Sequence, residues 1–396
     1  MVRGRLLALS VAAIAACGPA ASERPPPPAP THQPPPPPAP VVAAPPSPVV
    51  TNAPAPPQAP AGSGIPLDAP VTTTAPKSPS PRLARGAGTP ADKALGEGDE
   101  AFARADFGAA EKAYKKAGTL APKDPAPIVG VVRARLAAED APVDAAAAPG
   151  HAGLNAAVRD LERALKLDPE FAPAHLELGR ALLVLDRAPE AVAALRKAVE
   201  LAPGDAEAHS ALGVGLVATG KAEEAVRELG RAADLAPGDA ERFTNLGTAL
   251  LAVGRAQEAV RAYEKAARLA PNDARVQNDL GSALLFTNDL DRALASLESA
   301  VKSDPRRATY RSNLGYALWL KGDHGRAVAL YREALALDPK LVSAWLNLGN
   351  ALAKRGDLAG AREAYDKARA IAPDDPRVVA ALLEFTALEK AKGSKP

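Results

Sequence analysis

The chain contains few side chains whose types and spacing suit catalysis or metal binding. Its single cysteine, Cys17, leaves no second thiol for a disulfide or a cysteine-based metal site. Of five scattered histidines, His175 and His209 lie 34 residues apart, but no carboxylate pattern accompanies them. Helix packing is therefore expected for both. No glycine-rich phosphate loop or nucleophile elbow is present. We predict no catalytic site, no cofactor and no metal.

Cys17 nevertheless stands where a cysteine has a specific use. Arg3 and Arg5 precede the apolar run 6–16, which is too short to span a bilayer as a helix. The sequence at 14–17, Ile-Ala-Ala-Cys, resembles the bacterial lipoprotein signal. In that signal, small residues admit the peptidase and the thiol accepts the lipid. The resemblance implies a signal peptide over 1–16 and a lipid on Cys17; an ordinary signal peptide with an incidental cysteine is the alternative.

The expected location follows from this signal. A multiply acylated Cys17 anchors stably in a membrane. Gly18 follows it, which is typical of lipoproteins sorted to the outer membrane. We therefore expect a bacterial cell-envelope protein, an outer-membrane lipoprotein facing the periplasm. The formal net charge of the whole chain is only +2, which gives no field suited to nucleic acid.

Residues 17–90 have the composition of a spacer. Proline runs occupy 25–28 and 34–38, and Ala-Pro and Ser-Pro pairs continue to Pro90. Proline lacks an amide proton and fixes φ, so helices and sheets are disfavoured. A disordered, polyproline-like tether is expected, which extends about 3.1 Å per residue.

Beyond this segment, prolines recur every 34 residues. They are Pro169, Pro203, Pro237, Pro271, Pro305, Pro339 and Pro373. A glycine column beginning at Gly179 and alanine columns beginning at Ala191 and Ala198 keep the same period. Such self-similarity predicts a repeat array. An earlier copy ends at Pro122, and 13 extra residues of loop composition fall between Glu139 and Leu154.

Each copy reads as two helices. In 240–273, Phe243, Leu246 and Leu250 share one helical face, and Gly254 ends that helix. A second helix follows, and Asp273 is placed to cap the next unit. The glycine column is expected to face alanine on the second helix, so that the two backbones approach closely. Acidic and basic pairs at helical spacing are expected to be solvated.

These columns resemble the tetratricopeptide repeat, with small residues at repeat positions 8, 20 and 27 and proline at 32. The resemblance implies an all-α fold, a right-handed α-α superhelix. It covers about eight units: 91–124, 125–171 with the inserted loop, 172–205, 206–239, 240–273, 274–307, 308–341 and 342–375. A capping helix is expected over 376–392, packed through Val379, Leu382, Leu383 and Leu388.

In this family the first helices line a concave groove, and repeat positions 2, 5, 6, 9, 12 and 13 face it. Position 6 contains Asn245, Asp279, Asn313 and Asn347, and Asn350 adds position 9. Asparagine offers both a donor and an acceptor, so such a ladder is suited to an extended peptide backbone. The alternative is that these amides bridge neighbouring helices.

Aromatic residues indicate the same region. Tyr316 and Trp319 stand at groove positions in a chain with only 4% aromatic residues. Exposed aromatics are favoured interface anchors. The predicted groove residues are Asn245, Asp279, Asn313, Tyr316, Trp319, Asn347 and Asn350.

We therefore expect a non-enzymatic scaffold or adaptor that binds a protein or extended peptide and is attached to a membrane by its lipid. Envelope proteins of this kind include pilotins and adaptors. Two alternatives remain open at this stage. One is a carbohydrate- or peptidoglycan-binding scaffold, and the other is a regulatory partner of a glycosyltransferase acting in trans.

Overall fold

The computed structural model describes residues 82–138 and 152–393, with side chains to Lys390. Every regular element in these ranges is an α-helix. The helices are α1 (Pro90–Ala103), α2 (Phe107–Leu120), α3 (Ala126–Ala138), α4 (Ala152–Leu167), α5 (Ala172–Val184), α6 (Ala188–Leu201), α7 (Ala206–Ala218), α8 (Ala222–Leu235), α9 (Ala240–Ala252), α10 (Ala256–Leu269), α11 (Ala274–Phe286), α12 (Leu290–Ser303), α13 (Ala308–Leu320), α14 (His324–Leu337), α15 (Val342–Lys354), α16 (Leu358–Ile371) and α17 (Pro376–Gly393).

Helices α1 to α16 form eight pairs, and α17 follows the last pair. Each helix packs most extensively on its neighbours in sequence, so the core runs along the array instead of forming one central mass. The expected α-α solenoid of about eight repeats with a terminal helix is confirmed. The predicted signal peptide, Cys17 and most of the predicted tether lie outside the described residues, as do residues 139–151 of the inserted loop.

The helices begin and end at the kinds of residue that the sequence predicts. At the end of the first helix, Gly254 has a φ of 76° and its counterpart Asn288 has a φ of 58°. Asp273 then caps α11, where its side chain accepts from the backbone N–H of Arg275 at 2.9 Å. Arg307, the residue before α13, makes no capping side-chain hydrogen bond.

The glycine column works differently from the prediction. A Cβ added to Gly281 would lie 2.6 Å from Cγ of Leu297, and one added to Gly349 would lie 2.7 Å from Cε1 of Tyr365. The glycine therefore makes room first for the large residue 16 positions later, and the expected alanine is also close, since a Cβ on Gly281 would lie 3.2 Å from the backbone oxygen of Ala293. The missing side chain lets a buried Leu or Tyr pack against the backbone of the first helix.

The residues at position 4 of the repeat differ in type, but most of them make the same hydrogen bond. His175 Nε2 lies 2.8 Å from the carbonyl oxygen of Pro169, six residues earlier. Gln277 donates to Pro271 at 3.1 Å. The same bond is made by His209 to Pro203, Arg311 to Pro305 and Trp345 to Pro339. Each side chain thus satisfies a proline carbonyl in the turn between the preceding helix and its own.

Of the residues predicted to pack the terminal helix, Leu382 lies against the core, but the most buried side chains are others. Val378 and Phe385 are buried, and the Phe385 ring lies 5.0 Å from the ring of Tyr365. Val379 and Leu383 are exposed instead. The predicted face was therefore wrong by about one residue of rotation around α17, because the helix presents to α16 the side chains next to those that hydropathy alone selected.

Candidate protein-binding groove

The first helices of the repeats lie on the inner side of the array. Successive first helices contact each other across one intervening helix, as α5 does with α7 and α13 with α15. Contact between every other helix places these elements at the shorter radius of the superhelix. Their repeat positions 2, 6 and 9, which the resemblance places on the concave surface, thus stand on helices at the inner side of the array.

Two predicted groove amides bridge neighbouring units. Asn313 Nδ2 donates to Asn278 Oδ1 at 2.8 Å, and Asn278 Nδ2 donates to Asp279 Oδ1 at 3.2 Å. Asn245 Nδ2 reaches Ser210 Oγ at 3.4 Å. Asn245 Oδ1 is buried and has no hydrogen-bond partner in the described chain. The polar column thus forms the floor of the groove and ties one first helix to the next.

The predicted site residues differ in how far they are accessible. Asn245, Asp279, Asn313, Tyr316 and Asn347 are all buried. Asn350 is exposed, and its Oδ1 accepts from the Tyr365 hydroxyl at 2.6 Å. Trp319 is half-buried. Of the predicted residues, Trp319 and Asn350 are therefore the ones that a partner can reach without displacing the floor.

Two exposed apolar side chains add to this region, and sequence reasoning missed both. Phe286 is 45% exposed and Leu320 is 40% exposed. They occupy position 13 of adjacent units, where other copies have Ala252 and Lys354. Together with Trp319 they form what we call the apolar patch (Phe286, Trp319 and Leu320). The available signal was that this position is apolar and large in these two units alone among the last four.

Trp319 is already engaged by neighbouring side chains. The His324 ring lies 4.1 Å from the Trp319 ring, measured between centroids. The Lys354 ammonium lies 5.7 Å from the Trp319 ring centroid, within cation–π range. These contacts hold the indole in place, and they occupy aromatic surface that a sugar ring would need for stacking.

The inner surface of the earlier units contains a buried series of ion pairs. Arg133 Nε lies 2.7 Å from Glu177 Oε1, and both side chains are less than 10% exposed. Arg180 lies 3.4 Å from Glu207, and Arg242 lies 2.6 Å from the other oxygen of Glu207. The expectation of solvated pairs concerned charges at helical spacing within one helix, and these pairs are of another kind. These pairs join residues 27 to 44 positions apart in different units, so spacing within one helix did not reveal them.

The pKa values of the buried carboxyls along the inner helices are shifted in opposite directions. Burial disfavours the charge on Glu177, but Arg133 and Arg180 outweigh it and lower the pKa of that carboxyl. Burial, reinforced by the charge of Glu207, raises the pKa of Glu241 to about 8. Burial likewise raises the pKa of Asp279 to about 6. Neutral and charged carboxyls therefore coexist along one surface.

Within residues 82–138 and 152–393, no group of three or more His, Cys, Asp or Glu side chains is arranged to hold a metal ion. His209 illustrates this, because its two ring nitrogens contact Glu228 at 2.7 Å and the Pro203 carbonyl at 3.0 Å. Among the described helices, none has the length and hydropathy to cross a bilayer.

Family models for the tetratricopeptide repeat match most of this array. The matched residues are 154–215, 206–231, 240–273, 278–342 and 318–384. Together they cover more than half of the 396 residues, so the chain belongs to the tetratricopeptide-repeat family. No curated protein sequence matches the chain.

Solved structures agree with this fold. The Cut9–Hcn1 hetero-tetramer of the APC/C is 17% identical with a TM-score of 0.54; the match covers 74% of this chain and 55% of that one. The chain thus spans about half the length of that protein. YrrB, described as a protein with an unusual peptide-binding site, is 25% identical over 48% of this chain and 98% of its own, with a TM-score of 0.38. PilF of Pseudomonas aeruginosa is 22% identical over 55% and 98%, with a TM-score of 0.46.

Proposed function

We propose that this chain is a non-enzymatic scaffold that holds a protein or extended peptide partner against its concave surface. The observation that carries the proposal is the apolar patch, where Phe286 and Leu320 expose nearly half of their surfaces on adjacent first helices. Exposed apolar clusters beside polar groups are typical of interaction sites. Tetratricopeptide-repeat folds serve generally as protein-interaction scaffolds, which supports the same conclusion.

The buried floor complements this patch. Asn313 and Asn278 are hydrogen-bonded to each other, so they stabilise the surface instead of binding the partner directly. Asn350 remains exposed beside it and offers an amide donor to a partner backbone. The partner is therefore held by apolar anchors at one end of the groove, with polar contacts around them.

The scaffold is proposed to act in the bacterial cell envelope. Support comes from the sequence at 14–17, in which Cys17 follows two small residues after an apolar run. A lipid on Cys17 would hold the array at the outer membrane, and the proline-rich segment would set its distance. A protein partner is favoured over a sugar because the Trp319 ring already contacts His324 and Lys354.

The groove is tested by capturing partners from detergent-solubilised envelope. Full-length protein is compared with the triple variant Phe286→Ala/Trp319→Ala/Leu320→Ala and with the control Leu269→Ala/Leu337→Ala. The control removes two leucines of comparable exposure at the ends of second helices, away from the groove. We expect specific partners to be lost with the patch variant alone. Equal capture by all three proteins would exclude the patch.

The membrane anchor is tested separately. Cys17→Ser should move the protein from the membrane fraction to the soluble fraction and abolish labelling with radioactive palmitate. Retention in the membrane fraction would contradict lipid anchoring. Binding of the wild-type protein to purified sacculi, without any protein partner, would favour the carbohydrate alternative.

A further inference from the structure

The segment before the first helix lies on the inner surface of the first unit. We call residues 82–89 the strap. Leu83 is only 1% exposed and packs in the core together with Ala94 and Leu95 of α1. The neighbouring Ala84 lies 3.8 Å from the place where a Cβ on Gly96 would stand. The predicted spacer therefore ends before Leu83, because this part of it packs on the array.

The strap backbone is held by one carboxylate. The N–H groups of Leu83 and Ala84 donate to the same Asp99 oxygen, Oδ2, at 2.9 and 3.0 Å. The Tyr114 hydroxyl donates to the other oxygen, Oδ1, at 2.9 Å. Tyr114 thus fixes the carboxylate so that it can accept two successive backbone amides. Charge-assisted hydrogen bonds to backbone amides hold a segment irrespective of its side chains.

Arg85 extends the contact along the array. Its backbone N–H donates to Asp92 at 2.6 Å, and its guanidinium makes two bonds to Asp124, at 3.1 and 3.2 Å. The same guanidinium carbon lies 5.3 Å from the ring centroid of Phe171, which precedes α5. Arg85 therefore touches residues that belong to the first unit and to the entrance of the third.

The positions that receive the strap are groove positions. Asp92, Gly96 and Asp99 occupy repeat positions 2, 6 and 9 of the first unit, the same positions that line the concave surface further along. The strap is thus a bent peptide segment held at these positions, with a buried leucine, two captured amides and an arginine in a carboxylate pair. Its arginine side chain is half exposed, so this end of the contact is open to exchange.

We propose that the surface formed by α1, Asp124 and Phe171 is a docking site for a peptide segment bearing a leucine followed two residues later by an arginine, and that the strap occupies this site in cis. The inference rests on the proposed scaffold function and names the ligand chemistry of a second region of the same groove. A tethered ligand competes at a high effective concentration, so a partner segment gains access only when the strap leaves.

The experiment uses the full chain and a fluorescein-labelled peptide with the sequence of residues 80–88, followed by fluorescence anisotropy. Leu83→Asp/Arg85→Glu releases the strap, since it places a charge in the core and reverses the charge facing Asp124. We expect the released variant to bind the peptide at least tenfold more tightly than the wild type. Equal affinity for the two proteins would overturn occupation in cis.

A charge exchange tests the arginine contact. In the released variant, Asp124→Arg should weaken the peptide by tenfold or more. A peptide in which the arginine corresponding to Arg85 is replaced by glutamate should regain affinity for that protein. If the glutamate peptide does not regain affinity for the Asp124→Arg protein, the assignment of the arginine contact is wrong.

The strap also covers core residues, so folding is monitored by circular dichroism in the same samples. A released variant that keeps its helix content but binds no peptide would show a structural cap only, and the proposal would be wrong. Should the double variant lose helix content, Arg85→Glu alone removes an exposed contact and should raise peptide affinity about threefold; no rise would overturn the proposal. Partner capture by the apolar patch is measured independently, so the two claims can fail separately.

Discussion

The indole N–H of Trp345 donates to the carbonyl oxygen of Pro339 at 2.9 Å, and four other repeats make the equivalent bond from a histidine, a glutamine or an arginine. Repeat position 4 therefore varies in residue type, but in these five repeats it makes the same hydrogen bond. In the unit 240–273, Phe243 has no donor at this position, so the carbonyl of Pro237 lacks the equivalent bond from its own column.

Trp345→Phe should lower the free energy of unfolding by roughly 0.5–1.5 kcal/mol, the net value of a typical hydrogen bond. The ring is kept, so the loss reports the N–H. Phe243→Gln should change stability in the opposite direction, because it supplies the missing donor. Urea unfolding followed by circular dichroism measures both. A stability loss in Phe243→Gln equal to that in Trp345→Phe would contradict the proposed role of the column.

Gly281→Ala should destabilise the array by about 1–3 kcal/mol, even though alanine favours helices, because the new methyl group would overlap Leu297. The matched control is Gly230→Ala. Gly230 is also helical, but nothing lies within 4 Å of a Cβ added there. The control should gain up to about 1 kcal/mol from helix propensity. Thermal unfolding distinguishes the two, and destabilisation of both variants to the same extent would refute the packing argument.

Glu177→Gln should destabilise the protein strongly, by about 3–5 kcal/mol, because it leaves the buried Arg133 guanidinium without its opposite charge. Glu97→Gln is the control, since the Glu97–Lys116 pair is 59% exposed at both ends and should change stability by less than about 1 kcal/mol. Replacing the buried pair together, with Arg133→Met/Glu177→Leu, should recover much of the loss. A double variant no more stable than Glu177→Gln would argue against an electrostatic origin.

Glu241 makes stability depend on pH. Its pKa of about 8 in the folded chain lies above the ordinary value of 4.5, so folding favours its protonated form. Stability from this group is complete below pH 4.5 and is lost as pH rises to about 8. Glu241→Gln should therefore raise the melting temperature by a few degrees at pH 9 and change it little at pH 4.5.

Glu258→Gln serves as the control for that pH series. The Glu258 side chain is 41% exposed, and its hydrogen bond to Arg255 lowers the pKa of the carboxyl instead of raising it. A small effect at both pH values is expected. A gain from Glu241→Gln at pH 4.5 as large as that at pH 9 would show that burial of the charge is not the cause.

The fold could be predicted from the periodic residues, because the residues at each repeat position determine structure within a short stretch of chain. The spacing of Phe243, Leu246 and Leu250 defines a helical face, and Asp273 caps the helix that follows it. The glycine column indicated close packing, but the partner of Gly281 proved to be Leu297, since side-chain direction in a helix pair is a tertiary property.

The binding surface was harder to predict for the same reason. Arg133 and Glu177 are 44 residues apart and meet through the stacking of two units. Asn313 was predicted as a groove residue, but its hydrogen bond to Asn278 in the preceding unit could not be predicted without the superhelix. The strap was missed because it stands between Pro81 and Pro90, within the range assigned to the spacer, and because the burial of Leu83 is a tertiary contact.

The most direct test of the account is site-specific photo-crosslinking in the intact envelope. A benzoyl-phenylalanine is placed at Leu320, in the apolar patch, or at Arg332, an exposed residue on the second helix of the same unit. The account predicts crosslinks to a specific protein from position 320 and none from position 332. Crosslinks to the same protein from position 332, with none from position 320, would place the partner on the outer surface and contradict the groove.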